Sequence, residues 1–486
     1  MKSLIITGLG LLILLLVGCG GAGALECNCG EICVNETGWW RDGGVFNESL
    51  RPIQAAVDNA SENDVICVKD GWYYENVDVN VDHLTIKSEN GSATTTVQAA
   101  SSSDHVFDIT ADYVNISGFT VTESSKAGIY INAVNHCNIS DNLLTENDHG
   151  IYLRCAGDDA ARFNVIVNNT VRQNGDNGIR LQGANCDNNT VRNNIVSAND
   201  EGIYIYFADY NNITGNTVLS NTAEGIYLTS GADYNNISCN TILNSYNGIY
   251  LVSSNHNIIT GNNASWNEGY GIVVLGHIHP TSYNNISDNI ANHNDAAGIA
   301  LDGEDNCTIV NNTANSNNVG ISLESSFNNN ISCNTILNNI NDGFYLYDAD
   351  DNNITCNWVA FNEKHGFHLI SWGWENSTGN NISYNNIIAN GAYNTTSGGY
   401  EWQFYNDQEE DVSATNNWWG TTDDNKIDAS IYDWEDNPEK GNVTYLPKLG
   451  GPSSCAEIPE PVTLVMVALG LLSLIGLLFR SGAGVR

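Results

Sequence analysis

From Gly128 to Leu369 the chain repeats one short phrase: a glycine, an apolar residue, a variable residue and a second apolar residue. It reads Gly128-Ile129-Tyr130-Ile131, Gly150-Ile151-Tyr152-Leu153, Gly178-Ile179-Arg180-Leu181 and Gly202-Ile203-Tyr204-Ile205. It returns at Gly225, Gly248, Gly271, Gly298, Gly320, Gly343 and Gly366, at intervals of 22, 28, 24, 23, 23, 23, 27, 22, 23 and 23 residues across the whole series. About nine residues after most of these glycines stands Asn-Asn-Ile-Ser/Thr, as at Asn211-Asn212-Ile213-Thr214 and Asn352-Asn353-Ile354-Thr355. A third segment with its own asparagine follows, as in Asn240-Thr241-Ile242-Leu243-Asn244.

Three extended segments in some 23 residues are too brief for hairpins, and they lack the helical period. A coil of three short strands, each stacked on its copy in the next turn at ~4.8 Å, satisfies the pattern. The two apolar residues of each phrase then face inward and the variable residue faces out. Asparagines at repeated turns can form amide ladders between rungs. The expected fold is all-β: a right-handed parallel β-helix, a single-stranded solenoid with ~23-residue rungs, capped at both ends and roughly 65–75 Å long.

The repeat resembles that of pectin-lyase-like proteins, in particular the NosD-type β-helix group found in many exported proteins. Ile53-Gln54-Ala55-Ala56-Val57 resembles that group's short capping helix, and Asp64-Val65-Ile66-Cys67-Val68 its first strand. Gly71-Trp72-Tyr73-Tyr74-Glu75-Asn76-Val77 and Leu84-Thr85-Ile86-Lys87 resemble the next rungs, and Asn416-Asn417-Trp418-Trp419-Gly420 to Trp434 resembles a closing segment. The likeness spans nearly all of residues 50–450 and speaks to fold more than function, because this scaffold hosts many activities.

The two ends carry an address. Lys2 and the apolar run Leu4–Val17 read as an export signal over residues 1–24. Cleavage near Ala22-Gly23-Ala24 is the preferred reading, with a lipobox-like Leu16-Val17-Gly18-Cys19 as the alternative. At the other end, residues 459–486 join Pro459-Glu460-Pro461, an apolar run Val462–Phe479 and the arginines Arg480 and Arg486. That order resembles the PEP-CTERM sorting signal, which implies an exosortase-like processing enzyme as partner and at least transient anchoring in the membrane through the C-terminal helix. Between the ends the expected division is a cysteine-containing segment 25–49, the capped coil 50–445 and a linker 446–458.

Composition narrows the function. The 486 residues hold 17 Lys and Arg against 56 Asp and Glu, a net charge of −39, so no basic surface exists for nucleic acid or anionic lipid. There are 74 asparagines, as a chain of many short turns requires. Of 13 cysteines, Cys19 falls in the export segment, and the remaining even number fits disulfides in an exported protein. Cys27, Cys29 and Cys33 are candidates, as are Cys333 and Cys356, which share one template place a rung apart.

The variable position runs Tyr130, Tyr152, Arg180, Tyr204, Tyr227, Tyr250, Val273, Ala300, Ser322, Tyr345, His368. Its six tyrosines could form a polysaccharide track, while the break from Val273 to Ser322 favours tyrosines that only stabilise the sheet. Acidic turns at Asp302-Gly303-Glu304-Asp305 and Asp348-Ala349-Asp350-Asp351 could hold Ca²⁺, a possible cofactor, although neither matches a calcium motif. Basic residues cluster early, so Arg154, His149, Asp158 and Asp159 are the weak catalytic candidates; the polygalacturonase and C5-epimerase motifs are not present. The NosD resemblance carries an association with copper, against which stand only two methionines, Met1 and Met466; His277-Ile278-His279 could clip a metal. Of 20 Asn-x-Ser/Thr sequons, those in the ladder, such as Asn212, Asn236, Asn285, Asn330 and Asn353, should face the coil. Asn35, Asn47, Asn376, Asn394 and Asn442 are the better glycosylation candidates.

These readings converge on an exported surface or extracellular-matrix rod, structural or in contact with polysaccharide and other envelope components. The alternatives are a polysaccharide lyase or glycoside hydrolase on the same scaffold, and a NosD-like periplasmic metal-accessory protein.

Overall fold

The computed structural model describes residues 26–155, 157, 159–276, 282–373 and 375–456. The export segment, the tail with Pro459, Glu460 and Pro461, and Asp158, His277 and His279 lie outside the described residues. Among the described residues no helix is long and apolar enough to cross a membrane, and the apolar run 462–479 is not one of the described parts.

The chain winds into the coil that the repeat predicts. One turn contains the strands Asn212–Thr214, Thr217–Leu219 and Ile226–Thr229. Each pairs in parallel with its copy in the next turn, so three sheets run along the rod. The third sheet counts 15 strands, from Val77–Val79 to Ile431–Tyr432. Ile213, Val218, Ile226 and Leu228 of this turn all point inward and are fully buried, and each stacks on a like residue above and below.

The glycine of the phrase is required by close approach. A Cβ on Gly225 would lie 2.2 Å from Cγ2 of Ile242 and 2.7 Å from the carbonyl oxygen of Gly248. Any side chain there would push two turns apart.

Each corner has the same construction. One residue adopts left-handed backbone, as do Tyr210, Gly215 and Ser220 (φ 55°, 65° and 53°), and a buried asparagine follows it: Asn211, Asn216 and Asn221. For a non-glycine residue the left-handed step costs roughly 1–2 kcal/mol, and the asparagine amide offsets it. The Oδ1 of Asn216 accepts both the backbone N–H and the Nδ2 of Asn194 (3.0 Å each), while the Nδ2 of Asn194 also donates to the carbonyl of Ile166 at 2.9 Å. Three such ladders climb the rod, one at each corner, passing through Asn189, Asn194 and Asn199 in a single turn.

The ladder lies one residue away from where the sequons suggest. In each Asn-Asn-Ile-Ser/Thr the first asparagine (Asn211, Asn235, Asn284, Asn329, Asn352) is buried in the ladder, and the second points outward. Asn212, Asn236, Asn285, Asn330 and Asn353 are therefore surface strand residues, because inward and outward positions alternate along a strand. Asn236 donates to Asn212 at 2.9 Å in a second, external row.

Both ends are closed. The helix Pro52–Val57 covers the N-terminal opening, and the buried carboxylate of Glu75 accepts the N–H groups of Ile53 (3.0 Å) and Gln54 (2.8 Å). Residues 25–49 are not separate from the coil. The strand Ile32–Asn35 pairs in parallel with Val65–Val68, Cys29–Cys67 bonds the segment to that strand, and Cys27–Cys33 closes a loop within the segment. A further disulfide joins Cys155 to Cys186.

The C-terminal end departs from expectation in two ways. Part of the stretch 446–458 is docked: Ser453 donates its N–H to Asn386 Oδ1 at 2.7 Å, and Ala456 is buried. Cys356 does not pair with Cys333, although strand register does place the two one rung apart. It bonds to Cys455 on the docked strap, and Cys333 is a free thiol. Adjacent rungs offered a partner, but the returning strap competes for the same sulfur.

Candidate functional site

The outward positions of the third sheet form one continuous file, because every turn of that sheet is in register. It begins at Asp78 and Asp108, passes Tyr130, Tyr152, Arg180, Tyr204, Tyr227 and Tyr250, and crosses the small residues Val273, Ala300 and Ser322. It ends at Tyr345, His368, Tyr405 and Tyr432.

The aromatic rings of this file stack on one another. Tyr204 to Tyr227 and Tyr227 to Tyr250 have centroids 5.1 and 5.2 Å apart. The guanidinium of Arg180 is inserted between the rings of Tyr152 (5.0 Å) and Tyr204 (5.2 Å), continuing the stack through a cation. Neighbours thus occupy the ring faces, and what the file offers outward is ring edges and phenol hydroxyls. Burial pushes the Tyr204 hydroxyl up to about 12 and raises those of Tyr227 and Tyr250, so all three are protonated donors at neutral pH. Tyr130 is only 7% exposed, covered by the parallel ring of His105 at 4.1 Å. Val273 and Ala300 close the break in the stack as a small apolar patch with Tyr250 and Tyr270 packed against it.

Beside the tyrosines runs a polar ledge that the repeat did not reveal. The residue before the glycine gives His149, Asn177, Glu201, Glu224 and Asn247 on successive turns, the two glutamates half-buried and the histidine and the two asparagines buried beside them. Asn177 donates to Glu201 at 2.6 Å and Asn247 to Glu224 at 3.3 Å. Burial raises the pKa of both glutamates.

Of the catalytic candidates, His149 and Arg154 share the strand His149–Arg154. His149 is buried between Asp148 (3.9 Å) and Asp176 (3.8 Å), and burial lowers its pKa against the pull of Asp176. Arg154 is tied to Tyr130 by a hydrogen bond that raises its pKa. Asp159 lies in the exposed turn beyond that strand, outside this group. The strongest acid–base candidate was missed. Asp108 has an Oδ1 without a hydrogen-bond partner, and burial, then the Asp78 carboxylate one rung away, push it up to about 6. Its signal was an aspartate at the variable position before the first clear glycine phrase.

The acidic turns do not form calcium cages among the described residues. Glu304 is 2% exposed and lies under the coil, where burial pushes it up to about 7. Asp302 stands outward on the third sheet opposite Glu324. Asp305 spends its carboxylate on the N–H of Phe327 (3.0 Å), Asp348 on the hydroxyl of Ser325 (3.1 Å), and Asp350 on the N–H of Thr378 (2.6 Å). Asp351 is a left-handed corner residue. These carboxylates cap the backbone and side chains of neighbouring rungs instead of converging.

A second aromatic file was also missed. The left-handed corner residues before the first ladder include His83, Tyr113, His136 and Phe163, then Tyr210, Tyr234, His256 and Tyr283. Their rings lie parallel at 4.4–5.1 Å, interrupted at Asn188. The recurrent Tyr/His one residue before Asn-Asn carried that signal.

Of the glycosylation candidates, Asn442 is exposed. Asn35 uses its side-chain oxygen to close its own turn on Thr37 and Gly38, and Asn394 does the same for Thr396. Asn47 donates to the carbonyl of Val45, and Asn376 is half-buried.

No curated protein matches the chain. Among solved structures it is similar to the catalytic unit of the thermostable GH87 α-1,3-glucanase from Streptomyces thermodiastaticus, at 14% identity and TM-score 0.48, over 68% of this chain and 65% of that one. This chain therefore spans a little under two thirds of the glucanase unit's length. It is also similar to the A-module of mannuronan C-5 epimerase AlgE4 from Azotobacter vinelandii, at 16% identity and TM-score 0.40, over 70% and 90% of the two chains. Pectate lyase Pel9A aligns at 14% identity and TM-score 0.31, over 72% and 78%. The family model described as periplasmic copper-binding protein (NosD) matches residues 57–242, 173–279 and 276–423. A match running from residue 57 to residue 423, over turns that pair with one another across that same stretch, makes this chain a member of the NosD family.

Proposed function

We propose that the protein is an exported rod of the cell surface or extracellular matrix that holds polysaccharide along the outward file of its third sheet. The observation that carries this reading is the unbroken stack Tyr152–Arg180–Tyr204–Tyr227–Tyr250 beside the ledge of Asn177, Glu201, Glu224 and Asn247. Together they offer phenol hydroxyls turn by turn and the half-buried carboxylates of Glu201 and Glu224, held by the amides of Asn177 and Asn247, a donor and acceptor row suited to a polymer of hydroxylated rings. Four disulfides among the described residues and the family's periplasmic description support export. The tail 459–486 would pass the rod to an exosortase-like enzyme and hold it at the membrane meanwhile.

Size-exclusion chromatography of the protein with a polysaccharide panel, uronate-rich polymers included, tests the reading. Co-elution with intact polymer supports it, and failure to bind any polymer leaves only a structural coat.

One observation favours a hydrolase or lyase instead. Asp108, which burial pushes up to about 6, stands one rung from Asp78, and a carboxyl group so raised can serve as a general acid beside a second carboxyl group. Shortened polymer in the same experiment, abolished by Asp108→Asn, would replace the binding role by catalysis.

The copper of the family's description meets a mixed donor set. The free thiols Cys137 and Cys307 are inside the coil, where burial pushes them up to about 12 and keeps them protonated. Both methionines lie outside the described residues. Asp342, His365 and His368 form a nitrogen–oxygen set that suits a divalent ion, and sulfur ligation of copper(I) finds no cluster among the described residues beyond the disulfide cysteines.

A further inference from the structure

Beyond the small-residue break, the outward file changes character. Asp342 opens the strand Asp342–Tyr347, and His365 opens the next strand of the sheet, His365–Ile370, directly opposite it. His365 and His368 lie on the same strand, and both imidazoles reach the one carboxylate: His365 Nδ1 lies 2.6 Å from Oδ1 of Asp342, and His368 Nδ1 lies 3.0 Å from Oδ2. Ligand atoms of the three residues all lie within 4.8 Å of one another.

We propose that Asp342, His365 and His368 bind one divalent transition-metal ion through two imidazoles and a carboxylate, stapling two neighbouring turns of the coil.

The fit is chemical and geometric. Two imidazoles and one carboxylate are the donors that zinc and its neighbours take, leaving a fourth position for water. Metal–ligand bonds of about 2.0 Å in a tetrahedron put ligand atoms about 3.3 Å apart, so the contacts of 2.6 and 3.0 Å open by about 0.7 and about 0.3 Å when the ion enters. The site is walled and preformed. Asp342 keeps 8% of its side chain exposed, His365 13% and His368 17%, so the group is largely shielded yet reachable from solvent. The ring of Tyr405 packs on both histidines at 4.5 and 5.4 Å, and Tyr345 meets His368 edge-on. An imidazole ligates through a ring nitrogen that carries no proton, and the tautomer with its proton on Nε2 leaves the Nδ1 lone pair, the atom that faces Asp342 in both rings, for the metal. The chain has 10 histidines and a net charge of −39, so two imidazoles on one half-closed carboxylate are a concentration of ligands that a solvated acidic surface does not need. Copper(II) would bind the same set more tightly than zinc, as it does most nitrogen–oxygen sites, so affinity order does not identify the ion held in the cell.

Calorimetric titration of the full chain with Zn²⁺ alone, after chelation and buffer exchange, tests the site. The expected result is one saturable site per chain and a Zn²⁺-dependent rise in thermal midpoint. His368→Ala should weaken binding by more than the roughly 10–100-fold that loss of an outer-shell partner costs. Asp342→Asn, which preserves the shape and a hydrogen-bond acceptor, should do the same while leaving the metal-free midpoint near that of the parent. His149→Ala, which alters the acidic histidine pocket eight turns away in the N-terminal direction, should leave zinc binding unchanged. Absence of saturable binding, affinity unchanged from the parent's in His368→Ala or Asp342→Asn, or loss of binding in His149→Ala alone would each overturn the proposal. None of these outcomes depends on whether polysaccharide binds.

Discussion

Cys356 is bonded to Cys455 across 99 residues of sequence, so the last described stretch of chain is fastened to a corner of the coil several turns' worth of sequence behind it. The bond and the contact of Ser453 with Asn386 together hold the strap against the corner between the first and second sheets. Cys455→Ser should lower stability by about 4–5 kcal/mol, the loop-entropy value for a cross-link of this span. Chemical denaturation with the other disulfides intact reads this, and a midpoint equal to the parent's would mean that the strap contributes nothing to holding the coil closed.

The amide ladders make a sharper claim. Asn216→Ala removes the acceptor for both the backbone N–H and the side-chain amide of Asn194, inside the coil. Two buried donors left unpaired should cost about 2–4 kcal/mol. Asn212→Ala, four residues earlier and facing out, should cost less than about 0.5 kcal/mol. A urea series on the two variants separates them, and equal losses would contradict the assignment of inward and outward asparagines.

Glu304 gives the rod an unusual pH response. Burial pushes its folded-state pKa up to about 7, above the unfolded value near 4.5. Between those values the folded protein holds a proton that the unfolded chain has lost, so stability falls as pH rises from about 4.5 to 7 and stays reduced above 7. Glu304→Gln should flatten that slope and raise stability at pH 8 by about 1–3 kcal/mol. Thermal midpoints at pH 5 and pH 8 for the two proteins check the sign.

Replacing Tyr204, Tyr227 and Tyr250 together by serine removes three stacked rings and their hydroxyls from the surface while leaving Ile203, Ile226 and Ile249 in the core. Affinity for any polysaccharide that the parent binds should fall at least tenfold, with the far-ultraviolet circular dichroism of the coil unchanged. Unchanged affinity in the folded variant would move the contact away from this file.

The coil itself was legible because its physics repeats. Gly225 and its equivalents must be bare where two turns touch, and Asn211, Asn216 and Asn221 must satisfy three corners, so the same letters return at the same interval. The variable position was legible for the same reason, and Tyr130 to His368 do line one file. What the repeat hid were features made by one turn only. Asp342 and His365 sit before their glycines, at a position that varies from alanine and valine to histidine, asparagine, glutamate and tyrosine in the other turns, so no period marks them. Cys455 lies in a segment rich in glycine and proline whose composition reads as a linker, and nothing in its local pattern points back to Cys356. The ladder was displaced by one residue because both asparagines of each pair recur equally, and only alternation along the strand tells them apart.

The corner ladders have a further consequence for how such a molecule changes size. Every turn satisfies the donors of the turn before it and leaves the same open pattern for the turn after, as Asn194 and Asn216 do. A duplicated or deleted block of one repeat can therefore be spliced at any corner with its bonding intact, shifting the reach of the molecule by about 4.8 Å per block. Length in this architecture is inherited in whole increments, like links added to a measuring chain, and the caps travel with the ends unchanged.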